Sequence, residues 1–240
     1  MTERGKRFNI ARIDRLTVSS ILERVQIADD PVDSAAARMG FDQLYSLLNA
    51  KELQFVGRIL AIDPKNHGVA TSHLGIMPPP ADLVPIRGQR YLVNAQEGQR
   101  ETPIETQYLP ERTHRAYLAM NEHIKRDLDR GLVVESGYRS PAFQLVTLLN
   151  YFQRFDFDID RTFKLVAAVG HSEHGFPERQ AIDLAPKTGV SEGGVDESFA
   201  LTDEYLWLLQ NASRYGFVLS YPKGNPDGIT FEPWHWSHRK

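Results

Sequence analysis

One stretch in the second half of the sequence restricts the chain to a fold that mixes helices with strands. Between Leu109 and Arg130, helix-forming residues place apolar side chains on a single stripe: Tyr117, Leu118, Met120, Ile124 and Leu128. Gly131 is placed to end this helix. The residues that follow, LVVES at 132–136, have the composition of a short strand. An amphipathic helix is therefore followed at once by a strand.

The rest of the second half repeats this mixture. Helices are predicted over 160–169 and 202–215, and Gly216 ends the latter. Strands are predicted in three segments: AIDLAP (181–186), FVLSY (217–221) and ITFEPWHW (229–236). Because antiparallel-looking strands are interspersed with helices, the sequence predicts an α+β fold.

The first half is less regular. Apolar spacing from Thr17 to about Ala61 predicts two helices separated by the polar break ADDPVD. FVGRILAI (55–62) is interpreted as a strand, and MPPPADLVPIRG (77–88) as a loop or linker. Residues 1–89 are thus expected to form a mostly helical N-terminal appendage and linker, followed by a domain at 90–240.

The composition excludes several kinds of protein. The 240 residues carry a net charge of −3, without the basic excess that nucleic-acid binding needs. There is no cysteine, so a metal site must use histidine and carboxylate ligands. The first 20 residues lack the apolar run of an export signal, and no apolar run is long enough to predict a transmembrane segment. The oligomeric state is not indicated.

Three short segments contain residues that are unusual for structure alone: SGYRSPAFQ at 136–144, SEHGFPERQAID at 172–183 and EPWH at 232–235. Two histidines and one aspartate from such segments supply three ligands and leave a position for water, as in a catalytic zinc site. Imidazole and carboxylate ligands suit zinc better than copper or magnesium. The segments therefore predict a catalytic metal site.

Glu232 stands three residues before His235 and is the candidate base for activating water. In a regular strand, residues three apart point to opposite faces, so both reach one metal only if the chain bends between them. Pro233 has a fixed φ and lacks an N–H, and it predicts such a bend.

Together, the three segments resemble a known family. SGYRS followed by Gln144, then Ser-x-His before Ala-x-Asp, then Glu-Pro-Trp-His, is similar to the VanY-type D-alanyl-D-alanine carboxypeptidases and their LD-carboxypeptidase relatives among the M15 zinc peptidases. The resemblance covers roughly residues 90–240. It implies a small antiparallel sheet whose concave face holds the zinc ion, with helices packed on the other side.

The resemblance also implies a set of metal ligands. One zinc ion (Zn2+) per chain is expected to be bound by three residues: His174, Asp183 and His235. Glu232 is expected to be the general base. His171 is an alternative first ligand, but Ser172-Glu173-His174 fits the family's pattern and His171 does not.

The connection between His174 and Asp183 departs from that pattern. The family's usual pattern has a glycine four residues before the aspartate and a gap two residues shorter. Here Arg179 takes the place of that glycine, and GFPERQ fills the longer gap. A loop between fixed ends absorbs extra length at small entropic cost.

The resemblance further implies that Arg139 and Gln144 face the substrate and that Ser172 lies beside the metal. The planar fork of arginine holds a carboxylate through two hydrogen bonds, which is how a carboxypeptidase would recognise a free chain end. The alternatives are a buried structural ion pair for Arg139 and a helix cap for Gln144.

The function implied by the resemblance is hydrolysis of a D-alanine amide bond in the stem peptide of peptidoglycan, with DD and LD specificity not distinguished. Two alternatives stay open: an endopeptidase of phage-lysin type, and a non-catalytic zinc-containing binding module like the hedgehog domains. Glu232 beside the histidine favours catalysis. The expected location is the bacterial cell envelope or periplasm, although no export signal is visible and a cytoplasmic location is the alternative.

Overall fold

The computed structural model describes residues 12–28, 35–95 and 98–239. Within these ranges the α-helices are α1 (Arg12–Ala28), α2 (Phe41–Ser46), α3 (Ala50–Leu60), α4 (Glu111–Leu128), α5 (Pro141–Arg154), α6 (Ile159–Phe163) and α7 (Asp203–Asn211). The strands are β1 (Leu83–Ile86), β2 (Arg90–Ala95), β3 (Gly98–Pro103), β4 (Gln107–Pro110), β5 (Leu132–Ser136), β6 (Ala181–Pro186), β7 (Thr188–Val190), β8 (Phe217–Leu219) and β9 (His235–His238). None of the described helices is long and apolar enough to cross a membrane.

The largest sheet has the strand order β5-β6-β9-β8, and all of its pairs are antiparallel. In this sheet Asp183 on β6 pairs directly with His235 on β9. Directly opposite residues of an antiparallel pair project from the same face, so these two side chains lie side by side. The register thus places two of the predicted ligands together.

The opposite face of this sheet packs on helices. Ile182, Leu184 and Trp236 project there into a core formed with α4 and α7. This core includes the predicted stripe residues Tyr117, Met120 and Ile124 of α4. A small antiparallel sheet packed against helices is the α+β arrangement predicted from the sequence, which is therefore confirmed. The two smaller sheets are the pair β1-β4 and the sheet β3-β2-β7, in which β2 and β7 are parallel.

A second core joins the N-terminal helices to α5. Val18 and Ile21 of α1 and Phe55 of α3 lie in one buried cluster with Leu149 and Phe152 of α5. Residues before position 70 therefore pack against a helix that directly follows the SGYRS segment. A domain boundary near residue 90 stays a prediction.

Most elements predicted in the second half are confirmed. The helix before Gly131, the strand LVVES, the strand AIDLAP and the helix ended by Gly216 all occur. The predicted helix at 160–169 ends at Phe163, and FVLSY forms a strand only over 217–219. The strand predicted at 229–236 begins at His235, because the chain turns at Pro233.

The predictions for the first half need more correction. The first helix corresponds to α1, and the second is divided into α2 and α3. Residues 29–33 of the break ADDPVD lie outside the described residues. The segment 77–88 is not all loop, because it contains β1. Helix α5 was not predicted, although Ser140 caps its first turn by accepting a hydrogen bond from the Phe143 N–H.

The interpretation of FVGRILAI as a strand is wrong, because α3 covers most of this segment. Asn49 begins the helix with a capping box: its side chain accepts hydrogen bonds from the N–H groups of Lys51 and Glu52, and the Glu52 carboxylate accepts the Asn49 N–H. Phe55 and Ile59 are then buried at helical spacing against α5. The cap and the packing together override the β-branched and aromatic composition.

His238, near the C-terminal end of the described chain, gives a pH-dependent contribution to stability. Its ring is 5% exposed, packs on Phe217, and lies 3.0 Å from Thr113 Oγ1 through Nδ1. Burial, and then the nearby Arg112, lower the pKa of His238 to about 4. Between about pH 6.5 and pH 4, this histidine therefore binds a proton more readily in the unfolded state than in the folded state. Its contribution to the free energy of unfolding is fully present above about pH 6.5 and is lost as the pH falls towards 4.

We therefore expect replacement of His238 by glutamine to flatten the pH dependence of stability. Between pH 7 and pH 4, the wild-type free energy of unfolding should fall by about 1–3 kcal/mol more than that of His238→Gln. Urea titrations of both proteins at pH 7, 5.5 and 4 provide the measurement. Parallel stability curves would show that His238 is not held neutral by the fold.

Candidate active site

The structure brings the three predicted metal ligands together. Asp183 and His235 come from paired strands, and His174 comes from the short 3-10 helix Glu173–Gly175. One potential ligand atom from each lies within 4.8 Å of the others, and this is the one such group of three among the residues that the structure describes. His171 is not part of it: its Nδ1 lies 3.1 Å from the Thr71 carbonyl oxygen and its ring contacts His73.

His174 is fully buried and held in one orientation. Its Nδ1–H donates to the Gly137 carbonyl at 2.7 Å, which leaves Nε2 as the unprotonated nitrogen. This Nε2 lies 3.3 Å from Asp183 Oδ2 and has no hydrogen-bond partner. Burial, reinforced by the Arg139 charge, lowers the pKa of His174 to about 4. A neutral imidazole with a free, buried lone pair is what a metal ligand requires.

His235 is surrounded by carboxylates. Its Nδ1 lies 3.0 Å from Asp183 Oδ1 and 3.6 Å from Glu232 Oε2, and its Nε2 lies 3.3 Å from Glu173 Oε2. Burial alone would lower the pKa of His235, but the hydrogen bonds to Asp183 and Glu173 outweigh it and raise the pKa to about 10. Three acidic groups around one imidazole make this site favourable for positive charge.

Glu232 reaches the cluster because the chain bends at Pro233, as the sequence predicts. The His235 N–H donates to the Glu232 carbonyl at 3.1 Å, which closes a reverse turn with proline in its second position. The Glu232 side chain is 6% exposed. Burial raises its pKa to about 8, and the negative charge of Asp183 adds to this effect. A carboxyl group with a pKa near neutrality is suited to accept and release a proton.

Two glycines allow close backbone approaches at the SGYRS segment, one to β4 and one to the SEHG segment. A Cβ at Gly137 would lie 2.4 Å from the Tyr108 carbonyl oxygen, and a Cβ at Gly175 would lie 2.7 Å from that of Arg139. The Arg139 N–H also donates to the His174 carbonyl at 3.1 Å. The backbone therefore fixes Arg139 beside the first histidine of the cluster.

The cluster opens into a cavity of about 120 Å³. Its polar wall includes six of the seven predicted site residues: Arg139, Ser172, His174, Asp183, Glu232 and His235. Arg139 Nε is buried without a hydrogen-bond partner, and no carboxylate of the described residues forms an ion pair with this guanidinium. Its positive charge lies in the same cavity wall as Asp183 and Glu232, without a direct ion pair to either.

The other two predicted substrate-facing residues have structural contacts. Ser172 caps the short helix, because its Oγ accepts the His174 N–H at 3.3 Å, and it also lines the cavity. Gln144 is 1% exposed and does not line the cavity. Its Nε2 donates to the carbonyl of Ala167, a cavity residue, at 2.7 Å. It is not the cap of α5, a position that Ser140 occupies.

Sequence reasoning missed two residues at this site. Glu173 is 3% exposed and contacts His235, and its signal in the sequence was a charged residue directly beside a predicted ligand. Tyr221 lines the cavity with its ring centroid 4.9 Å from that of His235. Its position at the end of the predicted strand FVLSY gave no indication of this contact.

The sequence was compared with known protein families and with individual proteins. Residues 106–240, more than half of the sequence, match the family described as VanY, D-alanyl-D-alanine carboxypeptidase. A Bacillus subtilis (strain 168) protein named "Putative carboxypeptidase YodJ" is 31% identical over 143 residues. The matched part is 56% of this chain and 48% of YodJ, so the chain spans about half the length of that relative.

Solved structures resemble the fold. The LdcB LD-carboxypeptidase, described with the molecular basis of its peptidoglycan recognition, is 28% identical with a TM-score of 0.53, over 73% of this chain and 77% of that one. A mutant of the VanY D,D-pentapeptidase from a VanB-type resistance cassette, solved in complex with Zn(II), is 18% identical with a TM-score of 0.45, over 72% and 83% of the two chains. With its family match extending from residue 106 through the three site segments, the chain belongs to the VanY family of D-alanyl-D-alanine carboxypeptidases.

Proposed function

We propose that this protein is a zinc-dependent carboxypeptidase that hydrolyses a D-alanine amide bond in the stem peptides of peptidoglycan. The observation that carries the proposal is the cluster of His174, Asp183 and His235, which shares one cavity with Glu232 and Arg139. Since peptidoglycan is the proposed substrate, the proposed place of action is the bacterial cell envelope.

The donor set fits zinc. Two imidazoles and one carboxylate are the three-ligand set of a catalytic zinc site, and the free Nε2 of His174 lies inside the cluster. The surrounding carboxylates favour a cation. When bound, zinc supplies a Lewis acid that polarises a carbonyl group and lowers the pKa of water.

Glu232 is proposed to move the proton. Its carboxylate takes a proton from the attacking water as the new C–O bond forms, and returns it to the nitrogen when the C–N bond breaks. The pKa of about 8 that burial gives this group falls when a cation lies beside it. Both protonation states are therefore accessible near neutral pH.

Arg139 is proposed to anchor the substrate's free carboxylate. Its buried guanidinium nitrogen lacks a hydrogen-bond partner in the protein, so a carboxylate in the cavity would satisfy it. The cavity has room for roughly four water molecules, which suits one small terminal residue such as alanine. A small terminal residue can therefore occupy the cavity with its carboxylate against Arg139.

The experiment that tests this proposal compares one stem peptide with a free and with an amidated C-terminus. In the wild type, amidation should lower kcat/KM by about 30-fold to 1000-fold, because a charged hydrogen-bond partner worth about 2–4 kcal/mol is lost. Arg139→Ala should be slow on both peptides and should lose this preference. Arg139→Lys should recover little activity, because an ammonium group cannot make the paired geometry.

Equal wild-type rates on the two peptides would show that no chain end is recognised, and an endopeptidase would then be the better description. Mass spectrometry of tetrapeptide and pentapeptide muropeptides after digestion separates LD from DD specificity. Loss of the terminal D-alanine from the pentapeptide alone identifies a DD enzyme, and loss of D-alanine from the tetrapeptide identifies an LD enzyme.

A further inference from the structure

Glu173 is a buried carboxylate next in sequence to His174. It is 3% exposed, and its Oε2 lies 3.3 Å from His235 Nε2 and accepts a hydrogen bond from Ser220 Oγ. Its other oxygen, Oε1, is paired with Arg179 and lies 4.0 Å from Arg239 Nη2. A buried carboxylate is costly unless it is paired and hydrogen-bonded, and here both oxygens have partners.

The position of Glu173 decides which nitrogen of His235 is available to a metal. Carboxylates lie beside both nitrogens of His235: Asp183 Oδ1 is 3.0 Å from Nδ1, and Glu173 Oε2 is 3.3 Å from Nε2. Asp183 is itself a predicted ligand, so a metal bound by Asp183 takes the place of a proton on the Nδ1 side. Glu173 lies outside the ligand cluster, so it keeps the one N–H of a neutral imidazole on Nε2. His174 has the complementary arrangement, because its Nδ1–H donates to the Gly137 carbonyl and Nε2 is free.

Arg179, which stands where the family's usual pattern has a glycine, contacts Glu173 through its side chain. This residue ends the short 3-10 helix Pro177–Arg179 in the longer connection, and its guanidinium pairs with Glu173. A glycine at this position would have no side chain to supply that charge. The longer connection therefore brings a cation to the carboxylate that contacts His235.

We propose that Glu173 is the positioning residue of His235, fixing the imidazole so that Nδ1 binds the metal, and that Arg179 holds the Glu173 carboxylate in place. This inference rests on the metal site proposed above. Ser172-Glu173-His174 then supplies one ligand directly and orients another that is 61 positions away in the chain.

The test measures zinc affinity of the full-length apo protein by competition with a chromophoric chelator. Glu173→Ala should weaken zinc binding about 10-fold to 100-fold, the usual effect of losing the partner of a metal-binding histidine. Glu173→Gln keeps an acceptor oxygen beside His235 and should stay within about 10-fold of the wild type. Arg179→Gln should lie between the wild type and Glu173→Ala, because Ser220 still contacts the carboxylate.

A second readout separates positioning from a purely structural ion pair. In the zinc-loaded protein, the 1H–15N spectrum should show an exchange-protected Nε2–H for His235, retained in Glu173→Gln. Should Glu173→Ala fail to fold, the glutamine variant and this resonance decide the question. Protection of Nδ1–H instead of Nε2–H would overturn the proposal.

Glu178→Gln is the matched control, since this carboxylate belongs to the same connection, is not part of the cluster and should bind zinc as the wild type does. Unchanged zinc affinity in folded Glu173→Ala, together with a loss in His235→Ala, would contradict the positioning role alone. Unchanged affinity in His235→Ala would instead contradict the metal site on which the proposed function depends.

Discussion

Glu232→Gln should lose most turnover while keeping its metal and its fold. We expect kcat/KM on a stem peptide to fall by about 10²-fold to 10⁴-fold, the range for removal of a general base. The glutamine has almost the same shape as the glutamate, but its amide cannot accept a proton. Steady-state kinetics, zinc content and the melting temperature are to be measured on the same preparation.

The chain offers a matched control for this substitution in Glu135. Burial also raises the pKa of Glu135, to about 7, but its carboxylate accepts the Val195 N–H and does not line the cavity. Glu135→Gln should therefore keep wild-type turnover within a few-fold. Full activity in zinc-loaded Glu232→Gln would remove the proposed mechanism and favour a zinc-containing binding module.

Removal of any single ligand should abolish stable zinc binding. Three protein ligands leave no redundancy, so His174→Ala, Asp183→Ala and His235→Ala should each reduce bound zinc from about one ion per chain to a small fraction. Elemental analysis after dialysis measures this occupancy, and activity should fall with it. His171→Ala is the control, because His171 contacts Thr71 and His73 outside the cluster. Zinc retained in His174→Ala and lost in His171→Ala would show that the ligand assignment is wrong.

The candidate site was more predictable from the sequence than the first half of the fold. The positions of His174, Asp183 and His235 were predicted from the resemblance to a family's short motifs, and the structure brings the three side chains together. The bend before His235 was also predictable, because Pro233 acts on the local backbone. FVGRILAI was ambiguous, since a short apolar run suits a buried strand and a helix equally well. The capping pair Asn49 and Glu52 was the overlooked local signal.

Other features depend on contacts between distant parts of the chain. The Gln144 side chain bonds to the carbonyl of Ala167, and that pairing follows from how α5 packs rather than from any short motif. The contact between Glu173 and His235 likewise arises only when β9 lies beside β6. Such partners have no periodicity or spacing in the sequence, so a motif can identify a ligand without identifying what orients it.

The direct pairing of Asp183 with His235 has a consequence for how this protein can diverge. Backbone hydrogen bonds of the sheet hold the two ligands together, independently of the length of the chain that joins them. Insertions or deletions in that connecting chain leave the ligand pair in place, whereas a slip of one residue in the register would turn one ligand to the opposite face. Tyr221 and Trp234 lie on the connecting chain and line the cavity. Substrate preference can therefore evolve through changes in loop length while the metal-binding geometry is inherited unchanged.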